Sequence, residues 1–313
     1  MGMGVNSVDG GRRGVCGGGI ASRRLCKGNV VGKRVQNKWL RTRTRAEVMV
    51  SEVEEKSLSL SREEKRRMRM EGNTNFIIEN DGFKSTGSQR VICAASFGLT
   101  GLCVAEALST VDSAGDASAM ALSALAAWVL SDLGSGIFHW SVDNYGSGKT
   151  PILGNVIAAF QGHHGEPWTI TMREFSNNTY KTCIPTLPFL VLCATDVDHP
   201  EWQMFWSLFS AFICLAQQFH SWSHMKKQEL PFLVNDLQEA GLLISRKAHS
   251  SHHREPFENN YCIVSGLCND ALDGSGVLQF LEKKIFEATG VEPRCWIEEQ
   301  DMLRDTMRDS LQQ

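Results

Sequence analysis

The chain has 313 residues, 42% of them hydrophobic and 21% charged, with a formal net charge of -3. That length allows a sizeable core, and the charge balance gives no reason to expect nucleic acid as a partner. The ten cysteines show neither a CxxC pair nor metal-finger spacing, which argues against a zinc finger and against a disulfide framework.

Charge is unevenly placed. Residues 1–45 carry eleven Lys and Arg against one acid, Asp9. They are rich in Gly, Ser and Val, and hold no apolar run long enough for a secretory signal. This pattern predicts an organelle transit peptide, with a basic arm that stays attached as the alternative. Residues 46–72 mix both charges and read as a linker or solvated helix. Residues 1–80 are therefore expected to be a disordered transit and linker segment, peripheral to the fold.

Four apolar runs follow. Residues 91–111 are apolar apart from Glu106, residues 117–138 are apolar until Asp132, and residues 202–219 carry no charge. Each approaches the ~20 residues that cross a bilayer. Residues 183–195 are fewer and include two prolines, so this run is expected to be re-entrant or to pack on the others. Small residues in 117–127 permit close helix approach. Cys93, Cys103, Cys193 and Cys214 lie inside these runs, where a thiol acts as a small hydrophobe. Strand-like alternation is scarce. The expected fold is all-α: a membrane helical bundle over residues 90–275 with a histidine-rich di-metal site at the helix ends, then a charged helical tail over 276–313. A soluble helical core is the competing reading.

Eight of the nine histidines fall between positions 139 and 253, in four groups. His220 and His224 are four apart and directly follow an uncharged run, so on a helix they share a face at the membrane boundary. His249, His252 and His253 are related by three and four residues, again one face. His139 lies seven residues after Asp132 at the end of the second run. His163 and His164 are adjacent and follow Gln161, so on a helix they point about 100° apart. Asp132, Gln161 and Glu239 are candidates for a ligand or for a partner that orients one; His199, before a proline, is left aside. Eight imidazoles exceed the four ligands usual for one zinc and suit two metals, although imidazole alone does not choose among zinc, copper, iron and nickel. The HExxH of zinc proteases and the Glu-x-x-His of soluble di-iron bundles are both absent. Trp140, Trp168 and Trp222 lie near these groups, at the headgroup level or in ordinary packing. Lys226, Lys227, Arg246, Lys247 and Arg254 flank them, as solvated charge or as a surface for an anionic headgroup or a redox partner.

The stretches DLGSGIFHWSVDNYG, QGHHGEPWTITMREF, HSWSH and NDLQEAGLLISRKAHSSHHREPFENNYCIVSGLCND resemble the plant fatty acid desaturase 4 group, which shares its domain with the plasmanylethanolamine desaturases of animals and bacteria. The resemblance covers roughly residues 90–275. It implies an O₂-dependent membrane di-iron desaturase, two Fe ions held by histidine boxes at Gln161–His164, His220–His224 and His249–His253, with His139 and Asp132 in a fourth matching stretch. It further implies palmitate in phosphatidylglycerol as substrate, a trans double bond near the carboxyl end, ferredoxin as electron donor, and a thylakoid or envelope membrane of the chloroplast. The compact QGHH departs from the spacing of acyl-CoA desaturases, and it leaves the roles of His163 and His164 open. Desaturation of an ether lipid, hydroxylation by the same core, an inactive relative, and a non-enzymatic membrane metal-binding protein are the alternatives. The last predicts histidines lining a path across the bilayer.

Overall fold

A computed structural model describes residues 82–196 and 198–312, with side chains up to Leu303. The predicted transit and linker segment, 1–80, lies outside the described residues. Among the described residues there is no strand, so the all-α expectation holds.

Four long helices form the bundle: α1 (Gly87–Ser109), α2 (Ala114–Asn144), α4 (Phe175–Thr195) and α5 (Pro200–His224); a short α3 (Gly154–His163) lies between α2 and α4. The sequence marks where α1 and α2 begin. Thr86 caps α1 and Ser113 caps α2, each in a reciprocal box with Gln89 or Asp116 three residues on. Pro200 begins α5, at a position where its missing N–H costs nothing. Short links at 110–113 and 196–199 reverse the chain between α1 and α2 and between α4 and α5, and the latter pair pack together. α5 packs against α1, α2 and α4, and α1 against α4. The starts of α1 and α4 are tied together, since the Asn177 amide donates to Gly82 O at 2.8 Å and the Ser85 N–H donates to Glu174 at 2.9 Å. At the other end Gln203 joins Glu106 to Cys193 O.

α1 and α2 are long and apolar enough to cross a membrane, and only 28% of the most apolar stretch of each is buried within the protein. The expectation for 202–219 is met in length alone: α5 has 25 residues, but Gln203, Gln217 and Gln218 lower its hydropathy below that of α1 and α2. The short run 183–195 packs on the other helices, against α1 and α5, the second of the two expectations for it. It is the second half of the 21-residue α4, which continues through Pro185 and Pro188. The Thr182 hydroxyl bridges Thr179 O and Cys214 O, which ties α4 to α5. One helix crossing is filled by the small side chains of Cys93, Cys183 and Cys214, and at another Ala107 makes room for Met120 and Met204. All the cysteines of the apolar runs are buried and unpaired, as small hydrophobes should be.

After α5 the chain folds back over one end of the bundle through α6 (Val234–Glu239), α7 (Arg246–His252), α8 (Asn269–Ser275), α9 (Val277–Thr289) and α10 (Arg294–Gln312). An irregular segment, 261–268, lies along α2. Three side chains on α2 bond its backbone. His139 Nδ1 is 2.9 Å from Tyr261 O. Ser135 Oγ accepts from Ile263 N at 3.1 Å. Asp132 accepts from Ser265 N, Gly266 N and Cys268 N at 2.7, 2.9 and 2.9 Å. Gly136 sits between them, and any Cβ there would collide with Cys262. The C-terminal helices belong to this packing. Trp140 packs with Tyr261 and Leu278, and its indole donates to the buried Glu282 at 2.9 Å.

Candidate metal centre

The eight clustered histidines meet at one end of the bundle, where α2 and α5 terminate. They divide into two groups. His163, His220, His224, His249 and His253 form the first; His139, His164 and His252 form the second with Asp143. Within each group, one donor atom per residue lies within 4.8 Å of every other. The adjacent pairs His163/His164 and His252/His253 are each split between the groups, which resolves what their spacing left open.

Asp143 is the residue that the sequence reading missed. It stands four residues after His139, hence on the same helical face, which was the available signal. Its Oδ2 lies 3.2 Å from His139 Nε2, 3.1 Å from His164 Nε2 and 3.3 Å from His252 Nε2. Two backbone carbonyls set the tautomers. His139 Nδ1 faces Tyr261 O at 2.9 Å and His252 Nδ1 faces Asn259 O at 2.7 Å. A carbonyl only accepts, so each Nδ1 carries the proton and each Nε2 turns its lone pair toward Asp143, the outer-partner pattern of metal-bound histidines.

Three other candidates stand elsewhere. Asp132 does not meet His139; it is spent on the three amides of 265–268. Gln161 donates its amide to Val142 O, Asp143 O and Gly146 O, bracing the end of α2 against α3. Glu239 is exposed and paired with Lys227 at 2.6 Å and Asn235 at 3.1 Å, away from the imidazoles. His199 is at the other end of the bundle, with Asp196. Trp140 is buried, Trp168 exposed and Trp222 half-buried in an apolar cluster. The flanking Lys226, Lys227, Arg246, Lys247 and Arg254 are all exposed, and Arg246 also caps α5 through Met225 O at 2.9 Å.

Both groups fit a metal ion. His220 is 2% exposed, yet neither ring nitrogen has a hydrogen-bond partner, and Nδ1 of His249 and His253, Nε2 of His139 and His252, and Oδ1 of Asp143 are likewise orphaned. Buried polar atoms without partners cost ~1–3 kcal/mol each, more than a fold leaves unused at one place. His163 Nε2 lies 2.9 Å from His224 Nε2, and His253 Nε2 lies 3.0 Å from His249 Nε2. Two nitrogens bound at right angles to one ion, each ~2.1 Å away, sit ~3 Å apart. Burial pushes the imidazoles of His163, His249 and His253 well below their usual range, and His252 down to about 4. They are therefore neutral at pH 7, the state in which imidazole ligates.

The metal-free protein should accordingly be acid-labile. His252 takes its proton at about 4 in the folded chain against 6.5 when unfolded. Between those values the unfolded chain binds more protons, so the stability is present above 6.5 and is lost as pH falls toward 4. His252 alone accounts for about 3 kcal/mol of this, and His163, His249 and His253 act in the same direction. The melting midpoint of chelator-treated protein, measured across that window, should drop steadily. A flat profile would mean that these rings are not buried without their metal.

The described residues thus form an all-helical domain, two of whose helices are long and apolar enough to cross a membrane, with two adjoining imidazole-rich groups that could each hold a metal ion at one end. The lipid desaturase domain matches residues 128–296, which takes in all eight histidines and Asp143 and extends into α10; the chain belongs to that family. Among similar proteins are two from Arabidopsis thaliana, fatty acid desaturase 4-like 1, chloroplastic, and fatty acid desaturase 4, chloroplastic. Each is 48% identical over 179 residues, 57% of this chain, and the match spans 60% and 55% of the two relatives. Plasmanylethanolamine desaturase 1 of Mus musculus is 33% identical over 184 residues, 56% of this chain and 68% of its own length. No solved structure matches the chain.

Proposed function

We propose that this chain is an O₂-dependent lipid desaturase of a chloroplast membrane, thylakoid or envelope. It would introduce a trans double bond near the carboxyl end of palmitate in phosphatidylglycerol, with electrons from ferredoxin. The observation that carries the reading is the pairing of two buried donor groups through adjacent residues, one with five imidazoles and one with three imidazoles and a carboxylate. His163, His220, His224, His249 and His253 would hold one iron, and His139, Asp143, His164 and His252 the other. Bound iron would supply, from O₂ and two electrons, the oxidising power to remove two hydrogens from an unactivated chain, which no side chain possesses. The residues do the rest. Tyr261 O and Asn259 O fix two ring orientations, neutral imidazoles keep lone pairs free, and burial excludes water that would divert the reaction.

The plant relatives with chloroplastic names and the basic segment 1–45 favour plastid residence and an acyl substrate. Residues 90–275 would be the multi-pass membrane domain proper. Gathering of the histidines at one end of the bundle, instead of along a path through it, favours an enzyme over a metal conduit. The match to plasmanylethanolamine desaturase 1 supports a second reading, desaturation of an ether lipid at its alkyl linkage.

Lipid extracts from membranes containing the chain and a ferredoxin reducing system decide between the two. The expected product is a trans-monounsaturated palmitoyl chain in phosphatidylglycerol, absent with His249→Ala, which also lowers bound iron. Conversion of saturated ether lipid instead would establish the second reading. Normal product from His249→Ala would remove His249 from the ligand set.

A further inference from the structure

α2 carries both an outward apolar face and the second donor group. Leu122, Leu125, Leu130 and Ile137 are 45–65% exposed and form one broad stripe along the helix. His139 and Asp143 face inward. Helix residues advance about 100° each, so Phe138 stands between the outward Ile137 and the inward His139. It is 42% exposed.

Phe138 touches one further ring that leads inside. Phe160, on α3, meets it edge-on, with centroids 5.9 Å apart. Phe160 also meets His139 at 5.0 Å and lies 6.4 Å from His220. His139 belongs to the second group and His220 to the first. Among the described residues Phe160 is the only aromatic ring other than histidine in contact with both groups. Phe257 and Tyr261 reach the second group alone. Phe160 is itself buried, packed with Val142, Ile157 and Val156. A separate cleft reaches the second group, lined by Asp143, Asn144, Gln161, His164 and Arg294 together with the apolar Pro256 and Phe257.

We propose that the alkyl chain of a membrane lipid enters sideways between Phe138 and Phe160, and that Phe160 fixes which carbons stop beside the two groups. The occupant is an alkyl chain because the port continues the outward apolar face of α2 without a polar break: Leu130, Ile137, Phe138, Phe160, then the imidazoles. A headgroup would have to cross that same apolar surface, which costs several kcal/mol per buried polar group. Phe160 is a specificity-determining residue in this scheme. Its ring is the last apolar surface before the ligands, so its size sets how deep the chain penetrates. The inference rests on the lipid reading above.

The test uses the full chain, metal-loaded, in vesicles of phosphatidylglycerol whose palmitoyl chain carries a diazirine. After illumination, adducts are mapped by mass spectrometry in the wild type and in Phe160→Leu, Phe160→Ala and Phe160→Trp, with metal per chain measured in each. Adducts are expected on the peptides 133–142 and 154–163. They should persist in Phe160→Leu and Phe160→Ala and fall about tenfold in Phe160→Trp, whose larger ring fills the port, with metal content unchanged. Phe160→Ala should also move the double bond along the chain. Adducts confined to the Pro256–Phe257 and Arg294 side, or equally strong in Phe160→Trp, would overturn the port. Labelling at the port without any desaturation leaves the port standing and removes the proposed reaction. Desaturation with no label at these two peptides does the reverse.

Discussion

Asp143→Ala should lose the metal held with His139, His164 and His252 and reduce desaturation to background. The carboxylate is the hub of that group, with one oxygen 3.1–3.3 Å from three imidazole nitrogens. Without it, three neutral rings remain around a position that has lost its only anionic donor, and the charge of a divalent or trivalent cation goes uncompensated in a buried site. The first group shares no ligand with Asp143, so elemental analysis should show metal per chain falling from about two to about one. Asp143→Asn keeps the volume and one carbonyl oxygen, and should retain more metal than Asp143→Ala. Full metal content in Asp143→Ala would show that the carboxylate is not a ligand.

The second large effect concerns stability. Asp132→Ala removes the acceptor for three backbone N–H groups at once. Asp132 is wholly buried, so no water replaces the lost oxygens. Each stranded amide costs ~1–3 kcal/mol, and the sum places Asp132→Ala at the severe end of single substitutions, roughly 4 kcal/mol or more. The damage should spread to the metals, because the same segment positions Tyr261 O against His139. Hydrogen exchange at 261–268 should rise sharply, with a lower melting midpoint and less bound metal. A variant with normal exchange there would refute the anchoring role. An Asp that ligated metal directly would show a different pattern, with metal lost while 261–268 stayed protected.

These two aspartates mark the limit of what the sequence discloses. The histidines were legible because they cluster, keep helical spacing and follow apolar runs, and the helical class was legible from those runs. Asp132 drew attention for its place on the helix of His139, seven residues away. Its true partners are amides more than 130 residues downstream, and nothing local announces them. Asp143 went unnoticed although it stands one helical turn beyond His139, because its partners His164 and His252 come from distant segments. The assignment of His163 and His164 to opposite groups was equally hidden, since it depends on where α5 and α7 fall around α3. The tail beyond residue 275 read as a charged appendage. Its buried Glu282, bonded to the indoles of Trp140 and Trp296, shows a solvated-looking acid serving as internal packing.

The splitting of neighbouring histidines has a geometric corollary. Two pairs of ligands, 163/164 and 252/253, reach opposite groups from consecutive Cα atoms, which a trans peptide holds 3.8 Å apart. The separation of the two groups is thus bounded by one peptide link and two histidine side chains, a covalent path that no loosening of helix contacts can lengthen. An insertion within either pair would lengthen that path and leave the other pair alone to hold the two groups together.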